Sequence, residues 1–252
     1  MKYHFVYDKE YLSLRELQLS NEEYNVVLAT VVGNHNAIFY GYKPERLVNA
    51  VKKISKFMKF RLEGDFKGFL DVSVDNSVVP LVLTVRYFDF CNCAENGGVY
   101  IKNLDSMCLD LQTELIDKVD NDTRKFQLIA TTTQPPKETI IEPLLNKFDI
   151  VYKCMCEGLT DNNLDDMKLD LENTINYRAR LSSGKYISGR YCGTDSLYPD
   201  SDVREWYRIC KLQSPIRAFK YLKVSRSFAD IWKHNLVCEA DYKLAERIYK
   251  EE

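Results

Sequence analysis

The segment from Gly41 to Val48 has the spacing of a nucleotide phosphate-binding loop but lacks its chemical groups. Such a loop follows a buried strand and reads G-x-x-x-x-G-K-[ST]. Its glycines let backbone N–H groups close on phosphate oxygens, and its lysine neutralises their charge. With Gly41 as the first glycine, the second falls on Arg46, the lysine on Leu47 and the hydroxyl residue on Val48. A cation and two apolar side chains therefore stand where phosphate would be held.

A strand and a helix must position this segment. Residues 37–40 form an apolar run of the length expected for a strand buried on both faces. Pro44 suits the first turn of a helix. Apolar residues then recur at helical spacing, at Leu47, Val48, Val51, Ile54 and Met58. This pattern predicts that Leu47 and Val48 are buried on the apolar face of the helix, against the sheet.

Four further segments follow in a fixed order. They are 94–104 (AENGGVYIKNL), 126–135 (FQLIATTTQP), 143–150 (PLLNKFDI) and 214–231, the last most clearly over 222–231 (LKVSRSFADI). They resemble, in the same order, four segments of the Mg-chelatase-like AAA+ proteins, the ComM/YifB group. Those segments read A-H-N-G-V-L-F-L-D-E-L, F-M-L-V-A-A-M-N-P, P-L-L-D-R-F-D-L and S-A-R-A-Y-H-R-I-L-K-V-A-R-T-I-A-D-L. Asn34-His35-Asn36 resembles G-H-N-L-L-L of that family. The resemblance covers residues 20–250 with gaps and implies an AAA+ core followed by a helical lid.

The resemblance also locates the family's catalytic positions, and this chain departs from them. The family uses an Asp that holds magnesium, a Glu that orients the attacking water, and arginines that contact phosphate. The corresponding residues here are Lys102 and Asn103 for the Walker B Asp and Glu, Thr133 for the sensor-1 Asn, Lys147 for the arginine finger, and Ile216, with Arg217 beside it, for the sensor-2 arginine. The sequence therefore predicts a degenerate member that no longer hydrolyses ATP and needs no cofactor.

The cysteines and histidines are not expected to hold a metal ion. The eight cysteines include two C-x-C pairs but no C-x-x-C, and both pairs fall in or beside apparent strands. We expect free thiols in a reducing compartment. The three histidines, at positions 4, 35 and 234, have no partner at a metal-binding spacing, and His35 is expected to shape the loop before the first core strand.

Strands alternate with helices in the first part of the chain, and helices alone follow. The expected strands are 78–85, 99–101, 126–131 and 150–152; the expected helices are 20–33, which a capping box opens, 107–119, 139–146, 164–181, 203–212, 215–232 and 239–249. Residues 161–163 are expected to be a linker and cap, and 182–199 a polar connection. The alternation of strands and helices in the first part of the chain implies a parallel sheet with right-handed crossovers. We predict a P-loop NTPase (AAA+)-like α/β core over 1–158 and an all-helical lid over 159–252.

Composition narrows the class of protein further. The net charge of −2 gives no general attraction to nucleic acid or anionic membranes. No apolar run approaches the roughly 18 residues that a membrane helix needs, and residues 1–10 lack a signal-peptide core. We therefore expect a cytoplasmic protein without membrane contact.

Three functions are compatible with these features. The first is a pseudo-ATPase that works as an interaction module, with an AAA+ subunit or another protein as partner, and with Lys147, Arg226 and Asp230 as candidate contacts. The second is an active ATPase that uses Mg-ATP with unusual ligands, such as Lys43, Arg46 or Arg217.

The third function is nucleic-acid binding through one helical stretch, with cations at Lys220, Lys223, Arg226 and Lys233. Net charge and the lack of interleaved aromatic residues argue against it. The simplest expectation for these four cations is a solvated outer face of the lid. The charge pairs Lys52-Lys53 and Asp165-Asp166 are likewise expected to be solvated helix faces.

Overall fold

The computed structural model describes residues 16–58, 69–73, 97–121, 127–181 and 197–250. The strand predicted over 78–85 and most of the connection predicted over 182–199 lie outside these residues. Contacts group the chain into two compact units, of which the first contains Asn36–Cys156 and the second contains Arg15–His35 and Glu157–Glu252.

The first unit is a parallel sheet with helices. Its elements in chain order are β2 (Ala37–Gly41), α2 (Glu45–Met58), β3 (Phe69–Ser73), β4 (Gly98–Lys102), α3 (Leu109–Asn121), β5 (Gln127–Thr132), α4 (Pro136–Thr139), α5 (Glu142–Leu145) and β6 (Ile150–Cys154). A short 3-10 helix, Leu104–Ser106, follows β4. The strands lie in the order β3-β4-β5-β2-β6, and every pair is parallel.

The core of this unit surrounds β2. Ile38 and Phe39 are fully buried, with β5 on one side and β6 on the other. Asn36, just before β2, stabilises the edge of the sheet at which the strands begin. Its side chain accepts a hydrogen bond from the Leu128 amide (2.8 Å) and donates one to the Lys147 carbonyl (2.9 Å). The predicted α/β class with a parallel sheet is therefore confirmed.

Three features of this unit differ from what the sequence led us to expect. The first is strand β3, which was not predicted. The single helix expected over 139–146 is two short helices, because Pro143 has no amide hydrogen for the Thr139 carbonyl and its ring would clash with that carbonyl in a continuous helix. Lys52 and Lys53 were expected to be solvated, but both are buried. Lys52 Nζ lies 4.5 Å from the centroid of the Tyr100 ring, so a cation–π contact accompanies its burial.

The second unit is mainly helical. It contains β1 (Glu16–Leu19), α1 (Asn21–Gly33), β7 (Thr160–Asn163), α6 (Leu164–Leu181), α7 (Ser201–Gln213), α8 (Pro215–Ile231) and α9 (Glu239–Lys250). The predicted capping box is present: Ser20 accepts from the Glu23 amide and Glu23 accepts from the Ser20 amide. His35 is buried with Nε2 2.9 Å from Ser227 Oγ.

β1 and β7 form an antiparallel pair in this unit, so the linker predicted over 161–163 is a strand instead. The predicted cap is present, because Asn163 Oδ1 accepts from the Asp165 amide (2.9 Å) at the start of α6. The Asn162 side chain donates to the Leu19 carbonyl (2.9 Å), a contact between residues far apart in the chain. α1 packs against α8, so residues 15–35 group with the C-terminal helices rather than with the sheet. The domain division at residue 158 stays a prediction. Within the described residues, no helix combines the length and apolarity needed to cross a membrane.

Candidate functional site at the carboxyl edge of the sheet

The turn after β2 has most of its backbone groups already bonded. Gly41 has φ of +91°, and a Cβ there would lie 2.8 Å from the Cys154 carbonyl oxygen. The Tyr42 amide donates to that same carbonyl (3.0 Å), and the Leu47 amide donates to the Pro44 carbonyl (3.1 Å). A phosphate-binding loop leaves such amides facing its ligand. Here they join β2 to β6 and begin α2.

Arg46, at the position of the second glycine, braces this turn. Its Nη2 donates to the carbonyls of Met155 (3.2 Å) and, more weakly, Tyr42 (3.4 Å). Its guanidinium carbon also lies 5.5 Å from the centroid of the Tyr42 ring. Lys43 is exposed, and its Nζ lies 5.2 Å from the same centroid. The Arg46 cation is thus engaged in holding the loop.

Leu47 and Val48 are buried, as the sequence predicts, with exposed fractions of 0% and 1%. The helix that carries them, α2, packs on β2 and β5. A working phosphate site needs a lysine ammonium and a hydroxyl at these positions, both open to the ligand. Two enclosed apolar side chains cannot supply either group.

Lys102 ends β4, where the family places its magnesium-binding carboxylate. Its Nζ lies 3.8 Å from Glu45 Oε1 in the first turn of α2. Asn103, the next residue, adopts a left-handed conformation (φ 56°), and its amide donates weakly to Thr131 Oγ1 (3.4 Å). Magnesium prefers oxygen ligands. At this position the structure has an ion pair instead.

Asp105 is a carboxylate at this edge that the sequence analysis missed. Its Oδ2 accepts from the amides of Thr133 (2.9 Å) and Gln134 (3.2 Å), and the Thr133 hydroxyl also donates to it. Its Oδ1 is buried and has no hydrogen-bond partner in the described part of the chain. Thr133, at the sensor-1 position, therefore helps to tie the loop after β5 to the loop after β4. No spacing rule links these two loops in the sequence.

Lys147 lies at the opposite edge of the sheet from Gly41. Its carbonyl accepts from the side chain of Asn36, which precedes β2, whereas Gly41 ends that strand. The sheet therefore separates Lys147 from the turn after β2 within one chain. Any contact that Lys147 makes with a nucleotide site would have to involve a second molecule.

The remaining family positions lie on α8, in the second unit. Ile216 and Arg217, in its first turn, are exposed. Arg226 and Asp230 are buried, with exposed fractions of 0% and 2%. Their ion pair joins Nη2 of Arg226 to Oδ1 of Asp230 at 2.8 Å. Their side chains are enclosed in the packing of this unit, so they are not available as direct contacts on its surface.

The expectation of a solvated cationic face on α8 is wrong. Lys220 is buried, with Nζ 5.4 Å from the centroid of the Tyr249 ring, and Arg226 is also buried. Of the four cations, Lys233 is exposed and Lys223 is half-buried. These residues therefore do not form one basic surface for a nucleic-acid backbone. The pair Asp165-Asp166, by contrast, is exposed as predicted.

Comparison with known proteins gives limited similarities. No protein-family model matches the chain. A probable proteasome inhibitor of Arabidopsis thaliana is 32% identical over 97 residues, which are 38% of this chain and 31% of that protein. The chain thus spans about a third of the length of this curated relative.

Two solved structures are similar to parts of the fold. One is the P-loop NTPase domain of a sigma-54 transport activator from E. coli, with 16% identity over 54% of this chain and 94% of that chain, and a TM-score of 0.38. The other is a RuvB variant from Thermotoga maritima, with 10% identity over 93% of this chain and 71% of that chain, and a TM-score of 0.41. At these TM-scores neither likeness carries an argument about the site.

Proposed function

We propose that this protein is a degenerate AAA+-like protein of the Mg-chelatase type that neither binds nor hydrolyses ATP and acts in the cytoplasm by contacting other proteins. The proposal that ATP is neither bound nor hydrolysed rests on the burial of Leu47 and Val48. These residues follow a turn in which most amides are bonded to protein carbonyls. Phosphate affinity depends on free amides and a lysine at this point. Here the amides of Tyr42 and Leu47 are bonded to protein carbonyls, and the position of the lysine is occupied by Leu47.

The magnesium position supports the same proposal. Lys102 is paired with Glu45, so a cation and not a carboxylate occupies that position, and the neighbouring Glu45 carboxylate is engaged with it. Asp105 accepts three hydrogen bonds from Thr133 and Gln134 through one oxygen. Catalytic magnesium bridges phosphate oxygens and is held by carboxylate or hydroxyl groups of the protein. The arrangement favours a structural role for both carboxylates.

An active ATPase would need other cations in place of the missing phosphate-binding lysine and arginines. Arg46 is held by two carbonyls of the turn. Lys43 and Arg217 are exposed, so they could still meet an anion from solvent. The buried Oδ1 of Asp105 is the feature of the described site that most favours this alternative, since it is an unused oxygen close to the predicted sensor-1 residue. Removing Asp105 therefore distinguishes the two readings.

A surface suited to protein contact lies on α7. Trp206, Ile209 and Leu212 have exposed fractions of 41%, 51% and 85%, and they are three residues apart on the helix. Large apolar side chains grouped on one helix are typical of surfaces that bind another protein. Lys147, which is half-buried beside the amino edge of the sheet, is the second candidate contact.

A phosphate-release assay combined with affinity capture tests this proposal. We expect no ATP turnover above a blank, and we expect the Ile209→Asp/Leu212→Asp and Lys147→Glu variants to lose partners that the parent recovers. Lys118→Glu, a half-buried lysine of the first unit, is the matched control and should recover the same partners as the parent. Turnover that Lys43→Ala or Arg46→Ala abolishes would overturn the pseudo-ATPase proposal. Identical capture by all variants would overturn the proposed contacts.

Proteasome binding is a second candidate function. The similarity to a probable proteasome inhibitor at 32% identity favours it, although it concerns 97 residues only. Inhibition would require binding rather than chemistry, which agrees with the proposed loss of ATP hydrolysis. Peptidase activity of purified proteasome should fall as this protein is added. Unchanged activity, together with no co-elution, would remove this candidate.

A further inference from the structure

Three potential metal ligands meet between α8 and α9. His234 lies in the turn after α8, Cys238 immediately precedes α9, and Asp241 lies in the first turn of that helix. Their donor atoms all lie within 4.8 Å of one another. His234 and Cys238 are partly exposed, whereas Asp241 is fully buried. From the sequence, His234 was expected to have no partner at a metal-binding spacing.

The distances fit a tetrahedral metal ion. His234 Nδ1 lies 3.1 Å from each Asp241 carboxylate oxygen and 3.7 Å from Cys238 Sγ. Tetrahedral zinc with ordinary bond lengths separates nitrogen from oxygen by about 3.3 Å and nitrogen from sulfur by about 3.6 Å. The nitrogen–oxygen and nitrogen–sulfur distances are thus those of a zinc site, and the sulfur lies within 4.8 Å of the carboxylate oxygen.

We propose that His234, Cys238 and Asp241 bind Zn²⁺ through Nδ1, Sγ and a carboxylate oxygen. This donor set suits zinc, which accepts nitrogen, thiolate and carboxylate ligands, whereas magnesium and calcium prefer oxygen alone. The His234 side chain is 40% exposed, so solvent reaches this cluster and water or an external ligand can complete the coordination.

The geometry fits a metal better than it fits a nucleophilic cysteine. In a catalytic Cys-His-Asp arrangement, one ring nitrogen faces the thiol and the other faces the carboxylate. Here Nδ1 faces both groups. A single point between the thiol, the imidazole and the carboxylate can therefore be shared by one ion, whereas a proton relay through the ring is not formed.

The local backbone holds the ligands in place. The Cys238 amide donates to Asp241 Oδ2 (2.9 Å), which caps α9 and fixes the carboxylate. Arg226 donates to the carbonyls of His234 (2.7 Å) and Asn235 (3.2 Å), so a buried guanidinium secures the turn that carries the imidazole. Supporting contacts of this kind orient ligands and raise metal affinity.

Alkylation of the reduced, unmodified protein tests the proposal. Iodoacetamide labelling of each cysteine is followed by peptide mass spectrometry, with and without ZnCl2. Zn²⁺ should slow the labelling of Cys238 at least about tenfold, because a coordinated thiolate is not free to react, and a chelator should restore the rate. Cys210, another partly exposed thiol of the second unit, is the internal control and should be unaffected. Equal rates at Cys238 with and without Zn²⁺ would overturn the proposal.

Ligand substitutions give an independent measurement. His234→Gln, Cys238→Ser and Asp241→Asn should each weaken Zn²⁺ binding at least about tenfold in competition with a chromophoric chelator. Cys156→Ser, which removes an exposed thiol elsewhere, should leave it unchanged. Co²⁺ added to the parent should give a thiolate charge-transfer band that the Cys238→Ser variant lacks. Equal affinity for Zn²⁺ in all four variants would contradict the site. If a ligand variant fails to fold, the alkylation result on the parent decides.

Discussion

Arg226 and Asp230 form an ion pair across one turn of α8, with Nη2 2.8 Å from Oδ1, and both side chains are almost completely enclosed. Arg178, from α6, approaches the other carboxylate oxygen of Asp230 with Nε at 3.7 Å. The resemblance to AAA+ proteins assigned Arg226 and Asp230 to a surface, but this geometry assigns them to the stability of the helical unit.

Replacing Arg226 should therefore destabilise the fold. Arg226→Met leaves the Asp230 carboxylate buried without its closest cation, and breaking a buried pair in this way costs about 3–5 kcal/mol. Arg217→Met, on an exposed part of the same helix, should change stability by less than about 0.5 kcal/mol. Urea denaturation of the two variants measures the difference. A similar small change in both would show that the pair contributes little.

Asp230 should also make stability depend on pH. Burial outweighs the attraction of Arg226 and Arg178 and raises the pKa of the Asp230 carboxyl from 3.8 to about 6. A raised pKa means that the folded state binds the proton more tightly. The contribution of this proton to the free energy of unfolding is therefore complete below about pH 4 and is lost as pH rises through about 6.

The comparison with Asp230→Asn isolates this effect. The difference in free energy of unfolding between the parent and this variant should shift against the parent by about 2 kcal/mol between about pH 4.5 and pH 7. Other carboxyl groups cancel in the difference. A difference that stays constant across this range, or that changes in favour of the parent, would contradict the assigned direction.

Leu47→Lys should not restore a nucleotide site. The new ammonium would be placed in a fully buried apolar position, so we expect a loss of about 3 kcal/mol in unfolding free energy and no gain in ATP binding. Asn49→Lys, at a partly exposed position on the same helix, is the control and should be nearly neutral. Equal stability of the two variants would mean that the Leu47 position opens to solvent.

Asp105→Ala should destabilise the sheet unit. The change leaves the Thr133 and Gln134 amides without their acceptor, and losses of this kind cost about 1–3 kcal/mol. Asp117→Ala, an exposed carboxylate on α3, should have little effect. If Asp105 instead held magnesium, Mg²⁺ would raise the melting temperature of the parent and not of the Asp105→Ala variant. We expect no effect of Mg²⁺ on either.

Local patterns in the sequence were sufficient for much of the sheet unit. Strand β2, the turn at Gly41 and the apolar face of α2 depend on residues close together in the chain, so spacing alone predicted the burial of Leu47 and Val48. The same holds for the capping box at Ser20, whose two partners are three residues apart. In these cases, short-range chemistry and tertiary packing agree.

Contacts between distant segments could not be predicted in this way. Lys52 is buried beside Tyr100 of another element, and a hydrophilic residue on a helix gives no local sign of such an environment. β7 forms because its residues pair with β1, which is far away in the chain. Asp105 was missed for the same reason, since Thr133 and Gln134 lie 28 and 29 residues further along the chain. His234 differs, because Cys238 and Asp241 lie only four and seven residues away, and this spacing was visible in the sequence.

Isothermal titration calorimetry with Mg-ATP is the measurement that tests the central claim most directly. The proposal predicts no binding heat from Mg-ATP or Mg-ADP at concentrations up to about 1 mM, corresponding to a binding free energy weaker than about −4 kcal/mol. An AAA+ ATPase with an intact G-x-x-x-x-G-K-[ST] loop serves as the positive control. Saturable binding near 1 µM, lost in an Arg46→Ala or Lys43→Ala variant, would show that the turn after β2 still holds nucleotide and would contradict the proposal.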